Sequence, residues 1–326
     1  KVEAISGATG KTLKEMTALA REMGATTMFT ATEAAQGMKF LSMAGFSAEQ
    51  AMKALPATLH LAQAGTIDLA RAADISSNIM SAFGIEAEKT TGVVDDMIST
   101  VNNANTNVQQ LGDAMKYVGA AAAAAGIDIP TVASAIGVLS NAGMQGAMAG
   151  TGLRQVFIRL TNVTGAAEDS LRGMCLSLDQ VNPQMVGLTT AITRLRDAGM
   201  TGSEAITIFG ARGAVAALNL AKGLPKYHEL KDIMEQNAGV AKKTAETMEN
   251  NLLGTFRLFK SAVQEAVLEV GDKGLTGNLQ NLIKTVTEVV RIFAGTGDPL
   301  SEFHDRAQAI VIQVKRLIEI GKILFI

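Results

Sequence analysis

Apolar residues recur along this chain at intervals of three and four, the spacing that lines one face of an α-helix. Leu13, Met16, Ala20 and Met23 make the first stripe, followed by Gly24. Ala34, Met38 and Leu41 make the second, which stops at Gly45. Met52, Leu55, Leu59 and Ala62 precede Gly65, and Leu69, Ile75, Ile79 and Phe83 precede Gly84. Each segment is about 12–20 residues long, an ordinary length for a globular helix. Glycine just past the last apolar position is the expected terminator, because a residue without Cβ readily enters the left-handed conformation that closes a helix. Gly24, Gly45, Gly84, Gly126 and Gly199 are therefore read as helix corners.

The starts are marked as well. Thr12-x-x-Glu15, Thr30-x-x-Glu33, Ser47-x-x-Gln50, Thr106-x-x-Gln109 and Thr201-x-x-Glu204 match the capping box, in which side chain and backbone satisfy each other's free groups. Ala44-Gly45-Phe46, Ala125-Gly126-Ile127 and Ala198-Gly199-Met200 repeat one phrase, read as a helix–Gly–helix corner used several times. Pro56 is expected to kink or split the third helix. Asp128 with Pro130 reads as a cap and first turn. Gly119, the run Ala120–Ala125, Gly143, Gly146, Gly150 and Gly152 let backbones approach closely, which implies tight helix packing.

The pattern changes after about residue 240. Ala245, Met248, Leu252, Phe256, Phe259, Val263, Ala266 and Val270 run at spacings of three and four, and Leu275, Leu279, Leu282, Val286, Val289 and Phe293 continue them. After the Asp298-Pro299 start come Leu300, Phe303, Ala307, Ile310, Val314 and Leu317. These stripes resemble coiled-coil seams, with packing back onto the preceding helices as the alternative. The predicted fold is all-α: a multi-helix region over 1–240, then long helices over 241–326, with Leu275, Leu279, Leu282, Val286 and Val289 as an oligomerisation seam. Lys315, Arg316, Glu319 and Lys322 interrupt the most hydrophobic stretch, too soon for a bilayer span.

Composition sharpens this. Hydrophobic residues are 48% of the chain but aromatics only 4%, with no Trp, so β architecture is disfavoured and a buried core is not. A net charge of −2 leaves no electrostatic footprint for gripping nucleic acid. One cysteine, Cys175, excludes an internal disulfide framework and fits a reducing compartment. Lys1-Val2-Glu3-Ala4 has no apolar core, so no signal peptide is expected there. The start without Met and the apolar finish at Lys322-Ile323-Leu324-Phe325-Ile326 lead us to expect an excerpt of a longer polypeptide.

No catalytic chemistry assembles. Gly7-Ala8-Thr9-Gly10-Lys11-Thr12 looks like a phosphate loop, but Ile5 stands where its first glycine belongs and no strand has room to precede it. His60, His228 and His304 are scattered, and Asp232 stands where a zinc helix after His228-Glu229 needs its second histidine. Cys175 has no local base and is read as a small core or loop residue. Asp95-Asp96 diverge around a helix and are read as a solvated face. No cofactor or metal is expected.

One resemblance covers most of the chain. Gly24-Ala-Thr-Thr-Met-Phe-Thr-Ala-Thr-Glu-Ala-Ala, Phe40-Leu-Ser-Met-Ala-Gly-Phe46, Ala54-Leu-Pro-Ala-Thr-Leu-His-Leu-Ala62 and Leu69-Ala-Arg-Ala-Ala-Asp-Ile75 stand in the same order as in another family. Ala82-Phe-Gly-Ile85, Ala125-Gly-Ile-Asp-Ile129, Ala135-Ile-Gly-Val-Leu139, Ala149-Gly-Thr-Gly-Leu-Arg154 and Ile208-Phe-Gly-Ala-Arg-Gly213 continue the order. Together they resemble the core region of phage tail tape measure proteins. Met174–Leu188 departs from it, with Asp179-Gln-Val-Asn-Pro183 in place of an acidic turn closed by glycine. The resemblance implies a structural protein assembled in the host cytoplasm into the tail tube interior or tail tip of the virion. It implies several copies together, and as partners the tail tube protein, tail assembly chaperones and baseplate or tail-tip hub proteins. It also implies a ruler that sets tail length and leaves ahead of the DNA, with host-membrane contact during ejection through regions outside this sequence. A secreted helical membrane-active effector or pore-former is the competing class, supported by the small-residue stretch 119–152.

Overall fold

The computed structural model describes residues 9–249, and every regular element among them is helical. The seam Leu275, Leu279, Leu282, Val286 and Val289, the Asp298-Pro299 start and His304 lie outside the described residues. The chain divides into two compact units, one spanning His60–Lys242 and the other containing the described residues before and after that span.

Before His60, α1 (Gly10–Thr26) and α2 (Ala31–Met43) pack on each other, with Met16, Ala20, Ala34 and Met38 buried. Thr30 caps α2: its N–H donates to Glu33 Oε2 at 2.7 Å, and Glu33 N–H donates to Thr30 Oγ1 at 3.2 Å. Two expectations fail in this hairpin. Thr12 is no cap, because α1 has already begun at Gly10. Gly24 does not stop α1 but lies within its last turn, where a Cβ would come 2.5 Å from the Ala31 nitrogen. Its missing side chain serves the close pass of α2. The next helix, α3 (Ala48–Ala64), starts from Ser47, whose N–H donates to Gln50 Oε1 at 2.9 Å. It runs through Pro56 without splitting, although Pro56 has no N–H to give the preceding turn. Buried Ala51, Ala54, Leu55 and Leu59 on either side show the packing that outweighs the lost bond.

The His60–Lys242 unit is built in two layers. Its long helices are α4 (Leu69–Phe83), α5 (Thr90–Asn103), α6 (Val108–Ala124), α7 (Ile129–Asn141) and α8 (Gly146–Thr161). Short helices α9 (Ala166–Gly173), α10 (Leu178–Val181), α11 (Pro183–Val186) and α12 (Leu188–Asp197) follow. Then come α13 (Gly202–Lys222), α14 (Leu224–Glu235) and α15 (Val240–Glu249), whose last residues pass beyond this unit. Contacts fix the directions. Ile75 meets Gly112 and Ala82 meets Gly119, so α4 and α6 run the same way. Gln110 meets Gln145 and Ala114 meets Gly150, so α6 and α8 do too. Asn219 meets Met144 while Gly213 meets Gln155, so α13 returns antiparallel to α8. These four helices form one layer. In the other, α5 and α7 run the same way, since Thr100 meets Gly137 and Asn105 bonds Asn141, and α14 returns along α7 through Gly223–Val138 and Met234–Ser134.

Small residues hold neighbouring helices close within each layer. A Cβ on Gly112 would come 2.8 Å from the Ile75 side chain, on Gly137 2.8 Å from Leu230, and on Gly150 2.3 Å from the Ala114 carbonyl oxygen. Around these glycines Leu111, Met115, Val118, Ile136, Leu139, Leu153, Val156 and Phe157 are buried.

Caps start the helices from the residue in front. Asp68 accepts from Arg71 N–H at 2.9 Å, and Asp128 from Thr131 N–H at 2.9 Å. Thr201 N–H donates to Glu204 Oε2 at 2.6 Å. The box expected at Thr106 falls one residue later. Asn107 accepts from Gln110 N–H at 2.8 Å, an amide oxygen being at least as good a cap as a hydroxyl.

Candidate functional site

Gly45, Gly84, Gly126 and Gly199 occupy corners with φ of 98°, 62°, 66° and 81°. At the third expected stop in the N-terminal run, Gly65, the roles are divided. Thr66 takes the left-handed position, with φ 49°, while Gly65 makes room for Val108, whose Cγ2 would lie 2.7 Å from a Cβ there. Cys175 is the other non-glycine residue with positive φ among those described, at 59°, and it is exposed just after α9. This is the segment that departs from the resemblance, and a cysteine there does the geometric work of a closing glycine. Asn182 restarts the chain, accepting from Gln184 N–H at 3.0 Å with Pro183 in the first turn of α11.

The Asp95-Asp96 pair is the strongest polar feature, and it is not a solvated face. Helix α5 directs Asp95 into the fold, where it is 3% exposed. Its Oδ2 accepts from the Gly239 N–H at 2.8 Å and its Oδ1 from the Ala241 N–H at 2.9 Å. Asp96 is half-buried, and its Oδ1 accepts from Asn237 Nδ2 at 2.8 Å. The helical step does diverge the two side chains, but packing of the α14–α15 corner closes over both. No local signal marks this, because the partners lie more than 140 residues away.

Asp96 also lines a groove of about 670 Å³ with Phe83, Ile85, Lys89, Ile127 and Asp128. Burial pushes the Asp96 carboxyl up to about 6 against the Asn237 hydrogen bond, and the neighbouring Asp95 and Asp128 carboxylates push it the same way. Folded Asp96 therefore binds its proton more tightly than the unfolded side chain, whose pKa is about 3.9. Stability is fullest below about pH 4 as far as this group is concerned, and falls as pH rises towards 6 and just beyond. The deficit at pH 7 is at most about 3 kcal/mol, less what partial solvent access screens. Asp96→Asn keeps an oxygen for Asn237 and removes the charge. It should raise stability at pH 7.5 by about 1–2 kcal/mol, with the gain vanishing near pH 4. Urea midpoints at the two pH values check this, and a loss at both would show that the carboxylate itself is needed.

The charged side chains lining the groove are Lys89, Asp96 and Asp128. Among the described residues no group of three or more His, Cys, Asp or Glu side chains is placed to hold a metal ion. His60 lies on α3 and His228 on α14, where its ring meets Tyr227 edge-on at 5.9 Å. Thr12 and Lys11 of the phosphate-loop look-alike lie in α1, Lys11 pairing with Glu15 at 3.5 Å. No described helix is long and apolar enough to cross a membrane.

The unit is thus a layered helical body closed by small residues, with the buried Asp95 engaged by backbone amides. The model of the phage-related minor tail protein family matches residues 17–211, and the chain belongs to that family. It is similar to the tape measure protein of Pneumococcus phage Dp-1, with 32% identity over 300 residues, covering 90% of this chain and 26% of that protein. It is also similar to the probable tape measure protein of Escherichia phage P2, with 28% identity over 303 residues, covering 89% of this chain and 37% of that protein. The chain thus spans between a quarter and two fifths of the length of these curated relatives. No solved structure matches.

Proposed function

We propose that this chain is the folded core segment of a tape measure protein. The observation that carries the reading is the alignment of nine-tenths of the chain with two proteins of that name. The compact His60–Lys242 body supports a division of labour. A unit of this size has a radius of gyration of about 16 Å by the usual scaling, too wide for several copies abreast in a narrow tube. The folded helices then belong at a tube end, against baseplate or tail-tip hub proteins. The stripes beyond residue 241 supply length inside the tube, against the tail tube protein and copies of themselves through Leu275, Leu279, Leu282, Val286 and Val289. Tail assembly chaperones hold the chain in the host cytoplasm before the tube closes round it, and it leaves ahead of the DNA on infection.

Deletions in the phage test this. A helix rises about 1.5 Å per residue, so removing about 28 residues, four heptads, from within 241–326 should shorten each tail by about 42 Å. Duplicating them should lengthen tails in whole ring steps. Removing α6–α8 should instead block assembly or ejection without rescaling the tail. Electron microscopy reads both, and unchanged tails with normal infectivity in both deletions would sink the proposal.

A further inference from the structure

The corner between α14 and α15 is held from across the fold. Gly239 and Ala241 give their amide protons to Asp95, and Asn237 gives one to Asp96, so a single two-residue step of α5 anchors the start of α15. Other helix starts in this unit are made differently. Asp68, Asn107, Asp128 and Thr201 each cap the helix they immediately precede, so their bonds last as long as the helix does. The Asp95 bonds depend on docking instead.

The docked segment contributes little apolar surface. Gln236, Ala238, Gly239 and Lys242 are exposed and Val240 is half-buried, leaving Asn237 and Ala241 as its buried residues. Adjacent carboxylates also resist being kept from water, and opening this corner rehydrates both. That gain offsets part of what the three hydrogen bonds contribute. We propose that residues 237–242 are a detachable strap: they leave α5 while the two helical layers stay folded, and so open the α14–α15 corner without unfolding the unit. The inference goes beyond the tail-length reading and does not depend on it.

Amide hydrogen exchange of the full chain, followed by NMR, tests the strap. The Gly239 and Ala241 amides should exchange at least about a hundredfold faster than those of Met115 and Leu153 in the cores of α6 and α8. Low urea should leave the strap rates nearly unchanged while accelerating the core rates, because a local opening exposes little surface. Asp95→Ala should speed exchange at Gly239 and Ala241 by about tenfold or more and leave Met115 and Leu153 within about threefold. Asn237→Ala, which spares the buried carboxylate, should do the same more weakly and keeps the test valid if Asp95→Ala fails to fold. The proposal is overturned if Gly239 and Ala241 exchange as slowly as the core in the unaltered chain. It is equally overturned if strap and core rates rise together in Asn237→Ala.

Discussion

Replacing Gly150 by Val will lower the stability of the His60–Lys242 unit by about 3 kcal/mol or more. At this point α8 lies directly against α6. A Cβ on Gly150 would stand 2.3 Å from the Ala114 carbonyl oxygen, 2.8 Å from Ala114 Cα and 2.9 Å from its carbonyl carbon. All three are backbone atoms, so no rotamer change relieves the clash and the helices must part. Parting them opens the packing around Leu111, Met115, Leu153 and Val156, which are essentially inaccessible to solvent. Gly119→Ala is the milder control. There the nearest atom is the Ala82 methyl at 2.9 Å, with no backbone atom among the nearest, so α4 and α6 need part far less than α6 and α8 do at Gly150. Urea unfolding followed by circular dichroism ranks the two, and an unchanged midpoint for Gly150→Val would show that the seam yields.

The second large effect is expected at Gly210, where space is not limiting. No atom lies within 4 Å of a Cβ built there, yet the backbone sits at φ 69° and ψ 169°, inside α13. That combination is essentially confined to glycine, since an L side chain would collide with its own backbone. It breaks α13 into two helical pieces between Phe209 and Gly213, both buried against their neighbours. Gly210→Ala should therefore destabilise by about 2–3 kcal/mol without any packing clash. Gly202→Ala, in the first turn of the same helix and equally open, should change stability little or raise it slightly. If both variants unfold at the same urea concentration, the conformation at Gly210 is not required.

These two positions show why the sequence was legible in part. Helix stripes could be read because apolar spacing is set locally, and the corners Gly45, Gly84, Gly126 and Gly199 follow stripes that end. Glycine has a second use, close approach, and its signature is the same letter. Gly24 and Gly65 follow stripes too, but their neighbours Ala31 and Val108 come from the next helix or a later one. The left-handed positions themselves at Thr66 and Cys175 are not glycine. Asp95 is the extreme case. A carboxylate on a helix looks solvated until its partners are known, and these are the amides of Gly239 and Ala241. Capping boxes succeeded at Thr30, Ser47 and Thr201, where both partners lie within four residues, and failed at Thr12, where α1 has already begun, and at Thr106, which Asn107 outcompeted.

The seams along α6 have a consequence for how this protein tolerates change. Where large side chains fill a core, one aliphatic residue can often stand in for another of similar volume. Where a glycine meets backbone, as Gly150 meets that of Ala114, nothing larger fits and nothing smaller exists. A saturation-mutagenesis map of the His60–Lys242 unit should therefore be least permissive at some of its smallest residues, and more forgiving at the leucines and methionines beside them.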